Sequence, residues 1–403
     1  MKILYLNPTG FLGGAEMCLL DVLATLSPGV SAKVVLCDDG PLRSAVEGLG
    51  VAREVLPLPP RLLTTGDSGS TWRSLVGLAL TAPGLTIETL AYLIRLRTLI
   101  RDERPDVIQT NGMKAHLLGS WAAPSGLPVV WHFHDYLSNR LMMGRLLRLS
   151  LRRNLKVVAV SRSVAEDASK VLGPKVPVVS ILNAVDLRRF SPGVGNGVDL
   201  DRAAGLSPAP EGTIRVGLVA TYARWKGHDV FIEAISRVSR DRPVRFFIAG
   251  SPLYRGTRSQ WSIEELRGLA ESHGVLDRIG FIPHRDDPES LYRNIDVVVH
   301  ASTRPEPFGR VIAEAMACGK AVVATPSGGA SELFTDGITA MGYPRGDASA
   351  LAAVMLRLID DPALRSRLGD AARIEAIQRF DRARLTEEWG RVYQGGRTAD
   401  GGA

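Results

Sequence analysis

Cysteine is scarce in this chain. Cys18, Cys37 and Cys318 are the only three in 403 residues, and they lie far apart. An odd count makes a poor disulfide framework, and no pair has the spacing of metal ligands, so a reducing, cytoplasmic setting is expected. An unbroken apolar run long enough for a bilayer is also missing. The longest, residues 74–94, is interrupted by Pro83-Gly84 and Glu88 and reads as two short helices. The start, MKILYLNPTG, reads as a strand without the basic and apolar regions of a signal peptide. No nucleic-acid module or aromatic–basic stacking platform is recognisable, so nucleic acid is not an expected partner.

What is present is a globular profile. Hydrophobic residues make up 45% and charged residues 23%, which excludes a disordered chain. The length suits two domains better than one. A net charge of +7 favours an anionic partner, either a nucleotide diphosphate or an anionic membrane surface.

Short apolar runs alternate with helical patterns twice over. The first half gives the strands KILYLNP, AKVVLCDD, DVIQTN, PVVWHFHD, KVVAVS and VPVVSILNAV, with helices such as AEMCLLDVLATL and VAEDASKVL between them. The segment SPGVGNGVDLDRAAGLSPAPEGT, 191–213, is the linker candidate. After it come IRVGLVA, DVFIEAISRVS, VRFFIAG, SIEELRGLAESHG, IGFIP, DVVVHAS, RVIAEAMACG and AVVATPSG. The fold class is therefore α/β, with two Rossmann-like, doubly wound parallel-sheet domains. We place them at 1–190 and 191–375, with a helix and then a frayed tail over 376–403. Ligands of such sheets bind beyond the C-terminal strand ends, so a cleft between two facing domains is expected.

Four groups of residues invite chemistry. In EPFGRVIAEAMACG, Glu306 and Glu314 are seven residues apart, one in a loop and one early in a helix. Such carboxylates suit bidentate hydrogen bonds to vicinal hydroxyls, and Gly309 lets a ligand approach the backbone. A surface glutamate and a helix-dipole glutamate would look the same. In ATYARWKGHDVF, Arg224 and Lys226 precede a helix, as a diphosphate clamp or as a solvated basic loop. In GFLGGAEM, Gly13 and Gly14 turn from strand to helix, but the pattern is not G-x-G-x-x-G, and a nicotinamide site is disfavoured. In PVVWHFHDY, His132 and His134 fall on one side of a regular strand, next to Asp135. Asn111 and Lys114 lie at another strand's C-terminal end, where ligand contacts belong, or Asn111 is a helix cap, and Ser161 caps the next helix.

The run E-P-F-G-x-x-x-x-E-A-M-A-x-G-x-x-V-x-x-T-x-x-G-G-x-x-E, Glu306 to Glu332, resembles the E-x(7)-E signature of the retaining glycosyltransferases of group 1 (family 4-like). Bacterial glycogen synthases, sucrose synthases and phosphatidylinositol mannosyltransferases belong to that family. Similar motifs run from Gly13 to the C-terminal helix. The resemblance implies the glycosyltransferase-B fold and transfer of a sugar from a nucleotide diphosphate donor to a hydroxyl acceptor, including lipid-linked ones. It places Glu306 on the donor sugar, Glu314 on the ribose, and Phe308, Gly309 and Arg310 along the sugar and diphosphate. Many relatives carry leucine at the position of Arg310, which leaves its role open.

Lys226-Gly227 match the family's G-R-x-x-x-x-K-G, but Thr221 stands where the arginine belongs, and Arg224 is the candidate substitute. The GGAE loop implies donor contacts from the Gly14 N–H, supported by Gly13. His134 aligns with the family histidine near the anomeric carbon, with His132 as the alternative. Gly328, Gly329 and Glu332 fit G-G-x-x-E, and NAVDLRRFSP, with Ala184 in place of glycine, leads into the hinge. The terminal helix resembles the one that crosses back to the first domain.

The implied chemistry is a front-face substitution with no enzyme nucleophile. No Asp-x-Asp stands in a suitable donor loop, so no metal and no cofactor are expected, and Lys226 with Arg224 takes the metal's place. Two other readings are a nucleotide-sugar 2-epimerase and a non-catalytic sugar-nucleotide-binding subunit. Residues 140–156 read as a basic amphipathic helix, with Arg145, Arg148, Arg152 and Lys156 opposite Leu146, Leu147 and Leu151. Such a helix packs on its own core or lies on an anionic membrane.

Overall fold

The computed structural model describes residues 1–64, 72–193, 197–252 and 259–394, with backbone only for 63–64 and 72–83. The chain divides into two compact units, one of Met1–Leu182 with Arg382–Ala403 and one of Asn183–Asp381. The tail expected to fray, 395–403, lies outside the described residues.

The first unit holds seven parallel strands: β1 (Lys2–Asn7), β2 (Ser31–Leu36), β3 (Ala52–Val55), β4 (Val107–Asn111), β5 (Val129–Phe133), β6 (Leu155–Ala159) and β7 (Val178–Ser180). Their order is β3-β2-β1-β4-β5-β6-β7, so the winding reverses between β1 and β4. The central strands are buried on both faces, which is why they read as continuous apolar runs and not as alternation. The helix Leu385–Gln394 belongs to this unit. It buries Trp389 and Tyr393, and the Tyr393 hydroxyl donates to Gln109 Oε1 at 2.6 Å.

The second unit holds six parallel strands: β8 (Ile214–Val219), β9 (Val244–Ala249), β10 (Ile279–Ile282), β11 (Val297–His300), β12 (Ala321–Ala324) and β13 (Met341–Gly342). Their order, β10-β9-β8-β11-β12-β13, puts the reversal between β8 and β11. The loops leaving those two strands carry Lys226 and Glu306, at the point where a doubly wound sheet binds its ligand.

Three local expectations are corrected. Residues 74–94 are not two helices: one helix runs Trp72–Glu103 through Pro83. Proline removes one hydrogen bond and costs about 3 kcal/mol inside a helix, yet the chain can resume α geometry on either side. The helix expected over 140–156 stops early, at Leu141–Leu149. Arg152 instead donates to the carbonyls of Ser120 and Ala123, Lys156 lies in β6 and donates to the carbonyl of Val392, and Leu147 is buried. The segment 191–213 is no free linker. Leu200 and Asp201 are buried in the second unit, and the Asp201 carboxylate pairs with Arg245 of β9 at 2.6 Å and Arg215 of β8 at 3.4 Å. A buried carboxylate needs such partners, and here they anchor the segment.

Candidate active site

Gly227 fixes the geometry of the second unit's site. Its φ is +74°, and a Cβ there would lie 1.9 Å from the Ala301 carbonyl oxygen. Only glycine lets the loop after β8 press onto the end of β11. Thr303 stitches the two together, its N–H donating to the Trp225 carbonyl at 2.7 Å. Lys226 is thereby brought to Glu306, with Nζ 2.8 Å and 3.0 Å from the two carboxylate oxygens and 4.0 Å from the centre of the Trp225 ring.

Glu306 is buried, and its backbone is held as well: its N–H donates to Ser327 O and its carbonyl accepts from the Gly329 N–H. The Ser302 hydroxyl donates to Glu306 Oε2 at 2.8 Å, and His300 Nε2 lies 3.1 Å from the same oxygen. The hydroxyl proton of Ser302 is directed to the carboxylate, so the 3.0 Å contact between Ser302 Oγ and His300 Nε2 fits a proton on Nε2. Burial pushes the Glu306 carboxyl up, but the Lys226 charge and the His300 hydrogen bond outweigh it and hold the group well below the usual carboxylate range. Glu306 is therefore an ionised acceptor at neutral pH. His300 and Ser302 escaped the sequence reading; the only signal was two polar residues closing the apolar strand DVVVHAS.

The helix Arg310–Ala317 starts at Gly309, whose φ of +100° is a left-handed entry that favours glycine. Glu314 lies one turn in and is buried. Arg310 Nε donates to Glu314 Oε1 at 3.2 Å, and the Tyr292 hydroxyl donates to Oε2 at 3.1 Å. Burial, then the Glu314 charge, push the Tyr292 phenol well above its ordinary value, so it stays a donor. Phe308 is buried edge-on against Phe380 and is part of the packing under the loop. Arg224 is oriented differently from Lys226: it stacks over Trp261 at 3.8 Å and pairs with Glu265 at 2.7 Å.

The remaining candidates belong to the first unit. Gly14 opens the helix Gly14–Leu23, where the first N–H groups have no acceptor within the helix. Gly13 is extended, φ −120°, so this turn does not call on a left-handed glycine. Glu16 folds back to accept from the Gly13 N–H at 3.1 Å, which makes it a local cap. His132 and His134 share one side of the β5 end with ring centroids 4.1 Å apart. Burial keeps both imidazoles neutral, pushing His134 down to about 3 and His132 well below its ordinary value. The third member of their group is Cys18: one ligand atom from each of Cys18, His132 and His134 falls within 4.8 Å of the others. Asn111 is not the expected cap; Gly112, φ +85°, takes that position. Ser161 does cap its helix, accepting from the Val164 N–H at 3.2 Å.

The chain matches known proteins over both units. The model for glycosyl transferases group 1 matches residues 205–375, and that for the glycosyl transferase 4-like domain matches 13–184. The lipopolysaccharide core biosynthesis mannosyltransferase LpsB of Rhizobium meliloti is 30% identical over 278 residues, 64% of this chain and 76% of that protein. The chain belongs to the group 1 glycosyltransferases. This glycosyltransferase is also 27% identical over 349 residues to the glycogen synthase of Mycobacterium tuberculosis, covering 83% of this chain and 78% of that one. Among solved structures, Anabaena HepE in complex with UDP-glucose superposes with a TM-score of 0.81 at 27% identity, over 98% of this chain and 100% of that chain. The two parallel-sheet α/β domains of the transferase are those of the glycosyltransferase-B fold.

Proposed function

We propose that this glycosyltransferase moves a sugar from a nucleoside diphosphate donor to a hydroxyl acceptor with retention, and without a metal or other cofactor. The observation that carries the reading is the pair of buried carboxylates, Glu306 and Glu314, each held by a cation at the winding reversal of the second sheet. An ionised, fixed Glu306 suits the hydroxyls of a sugar, and Glu314 suits the diol of a ribose. Lys226, with Arg224 two residues before it and Arg310 on Glu314, supplies the positive charge that a departing diphosphate needs. His134 is assigned to the reacting carbon by the family resemblance, and the Gly14 N–H with Gly13 to the diphosphate. One diphosphate oxygen takes the acceptor's proton as the hydroxyl attacks on the face the leaving group vacates, so the protein contributes position and charge.

The HepE complex makes UDP-glucose the first donor to try. A panel of nucleotide sugars in a thermal-shift assay tests the reading, because a ligand of the folded state raises stability with its concentration. Proton NMR of the product then reports the anomeric configuration. Inversion, or no stabilisation by any nucleoside diphosphate sugar, overturns it.

We also propose a cytoplasmic setting with peripheral attachment to an anionic membrane, where a lipid-linked acceptor would be met. Among the described residues no helix is long and apolar enough to cross a membrane. Leu141, Leu146 and Leu149 are exposed beside exposed Arg145 and Arg148, the composition of an interfacial helix. Co-sedimentation with anionic vesicles, lost in Leu141→Glu/Leu149→Glu, is the expected result; equal binding by the variant would refute it.

A further inference from the structure

The cluster at the end of β5 is not used up by the transfer chemistry. Three residues of types that bind transition metals converge there: Cys18 from the second turn of the helix Gly14–Leu23, His132 from β5 itself and His134 just beyond it. Cys18 and His132 are buried, and His134 is half-buried. Both nitrogens of both imidazoles are shielded from water, yet none has a hydrogen-bond partner. That is an unusual state for four buried polar atoms, since such groups nearly always find a partner. Trp389 lies edge-on to His132, 4.8 Å between centroids, and supplies an apolar wall but no acceptor for these nitrogens.

We propose that Cys18, His132 and His134 form a three-ligand site for a borderline-soft divalent cation of the Zn2+ class, with water as the fourth ligand. The donor set decides the class. Thiolate and imidazole suit Zn2+, whereas Mg2+ and Ca2+ take oxygen ligands, of which this group has none. Tetrahedral Zn2+ with these ligands needs donor atoms roughly 3.5 Å apart. The three donor atoms lie within 4.8 Å of one another, so binding draws them closer together. The Cys18 thiol gives up its proton on binding, each histidine contributes the lone pair of one ring nitrogen, and one proton leaves per cation bound. The transfer proposed above uses no metal, so this cation is not a catalytic one. Its consequence rests on the reading of His134 given above: a bound cation takes that imidazole away from the reacting carbon, and the transferase is inhibited.

Co2+ titration of the full chain tests the site without reference to activity. One equivalent should give a thiolate-to-cobalt charge-transfer band and tetrahedral d–d bands, both displaced by Zn2+. Cys18→Ser and Cys18→Ala should abolish the charge-transfer band, and Cys37→Ser and Cys318→Ser should retain it. His132→Gln should weaken binding by more than about tenfold. Absence of the band in the unmodified chain overturns the site whatever the variants do, and so does a band that follows Cys37 or Cys318. Turnover is then measured with one equivalent of Zn2+. Inhibition in the unmodified chain that Cys18→Ser escapes supports the consequence. Full turnover with the cobalt signature present overturns the role of His134 while the site itself stands.

Discussion

Lys226→Met removes one ammonium and keeps its stem, and the surroundings of Glu306 set the cost. Glu306 is 7% exposed and loses a partner at 2.8–3.0 Å. Coulomb's law with an effective dielectric constant of about 20 gives roughly 6 kcal/mol for that separation. Desolvation of the pair offsets part of it, and breaking a buried pair from one side typically costs ~3–5 kcal/mol. Ser302 and His300 still reach Oε2, so the lower end, about 3 kcal/mol, is expected. Equilibrium denaturation followed by a probe in the second unit measures it. Glu306→Gln in the Lys226→Met background should recover most of the loss, because no unpaired charge is left behind. Neither variant should regain turnover, since the lysine also serves the leaving diphosphate. A Lys226→Met protein within about 0.5 kcal/mol of the parent would refute the reasoning.

Glu314→Ala leaves ribose hydroxyls unpaired and should weaken nucleoside diphosphate binding by roughly 10- to 150-fold, from about 1.5–3 kcal/mol per charged hydrogen bond; unchanged affinity by calorimetry in a folded variant counts against the assignment. Arg224→Ala should cut turnover on the order of 10²–10³-fold if the arginine turns from Glu265 to the diphosphate, with partial recovery by adding Thr221→Arg. A nearly silent Arg224→Ala would leave it as Glu265's partner only. A chelator should leave turnover intact, and loss restored by Mg2+ or Mn2+ would refute the cationic clamp. Acid should destabilise the fold early: burial lowers both His134 and His228, the buried first residue of the helix His228–Ser236, to about 3 from 6.5, so the stability they give is present above 6.5 and is lost as pH falls toward 3. Thermal midpoints at about pH 7.5 and about pH 5 report this, and a flat profile would contradict it.

The sheets were legible because buried parallel strands are short unbroken apolar runs, and Glu306, Glu314 and Lys226 stand out as candidates because their spacing and neighbours form a pattern in sequence. Legibility failed where a partner comes from elsewhere in the chain. Nothing near Glu314 in sequence announces Tyr292, and nothing near His132 announces Cys18. Composition also misled locally. Pro83-Gly84 looked like a break, and the glycines and prolines of 191–213 looked like a tether. The first lies within one helix, and the second is anchored where a buried aspartate meets two arginines. Arginines 145–152 looked like one helical face because the halt at Leu149 leaves no strong mark in sequence.

The cations of the second unit's site are already engaged: Lys226 with Glu306, Arg310 with Glu314, Arg224 with Glu265. A small inorganic anion arriving there would draw a cation from its carboxylate and offer that carboxylate nothing in return. A molecule that carries hydroxyls on the same scaffold as its negative charge can satisfy both members of a pair together. On the proposed reading these pairs disfavour chloride, sulfate and free phosphate and favour a ligand able to trade with both members of a pair.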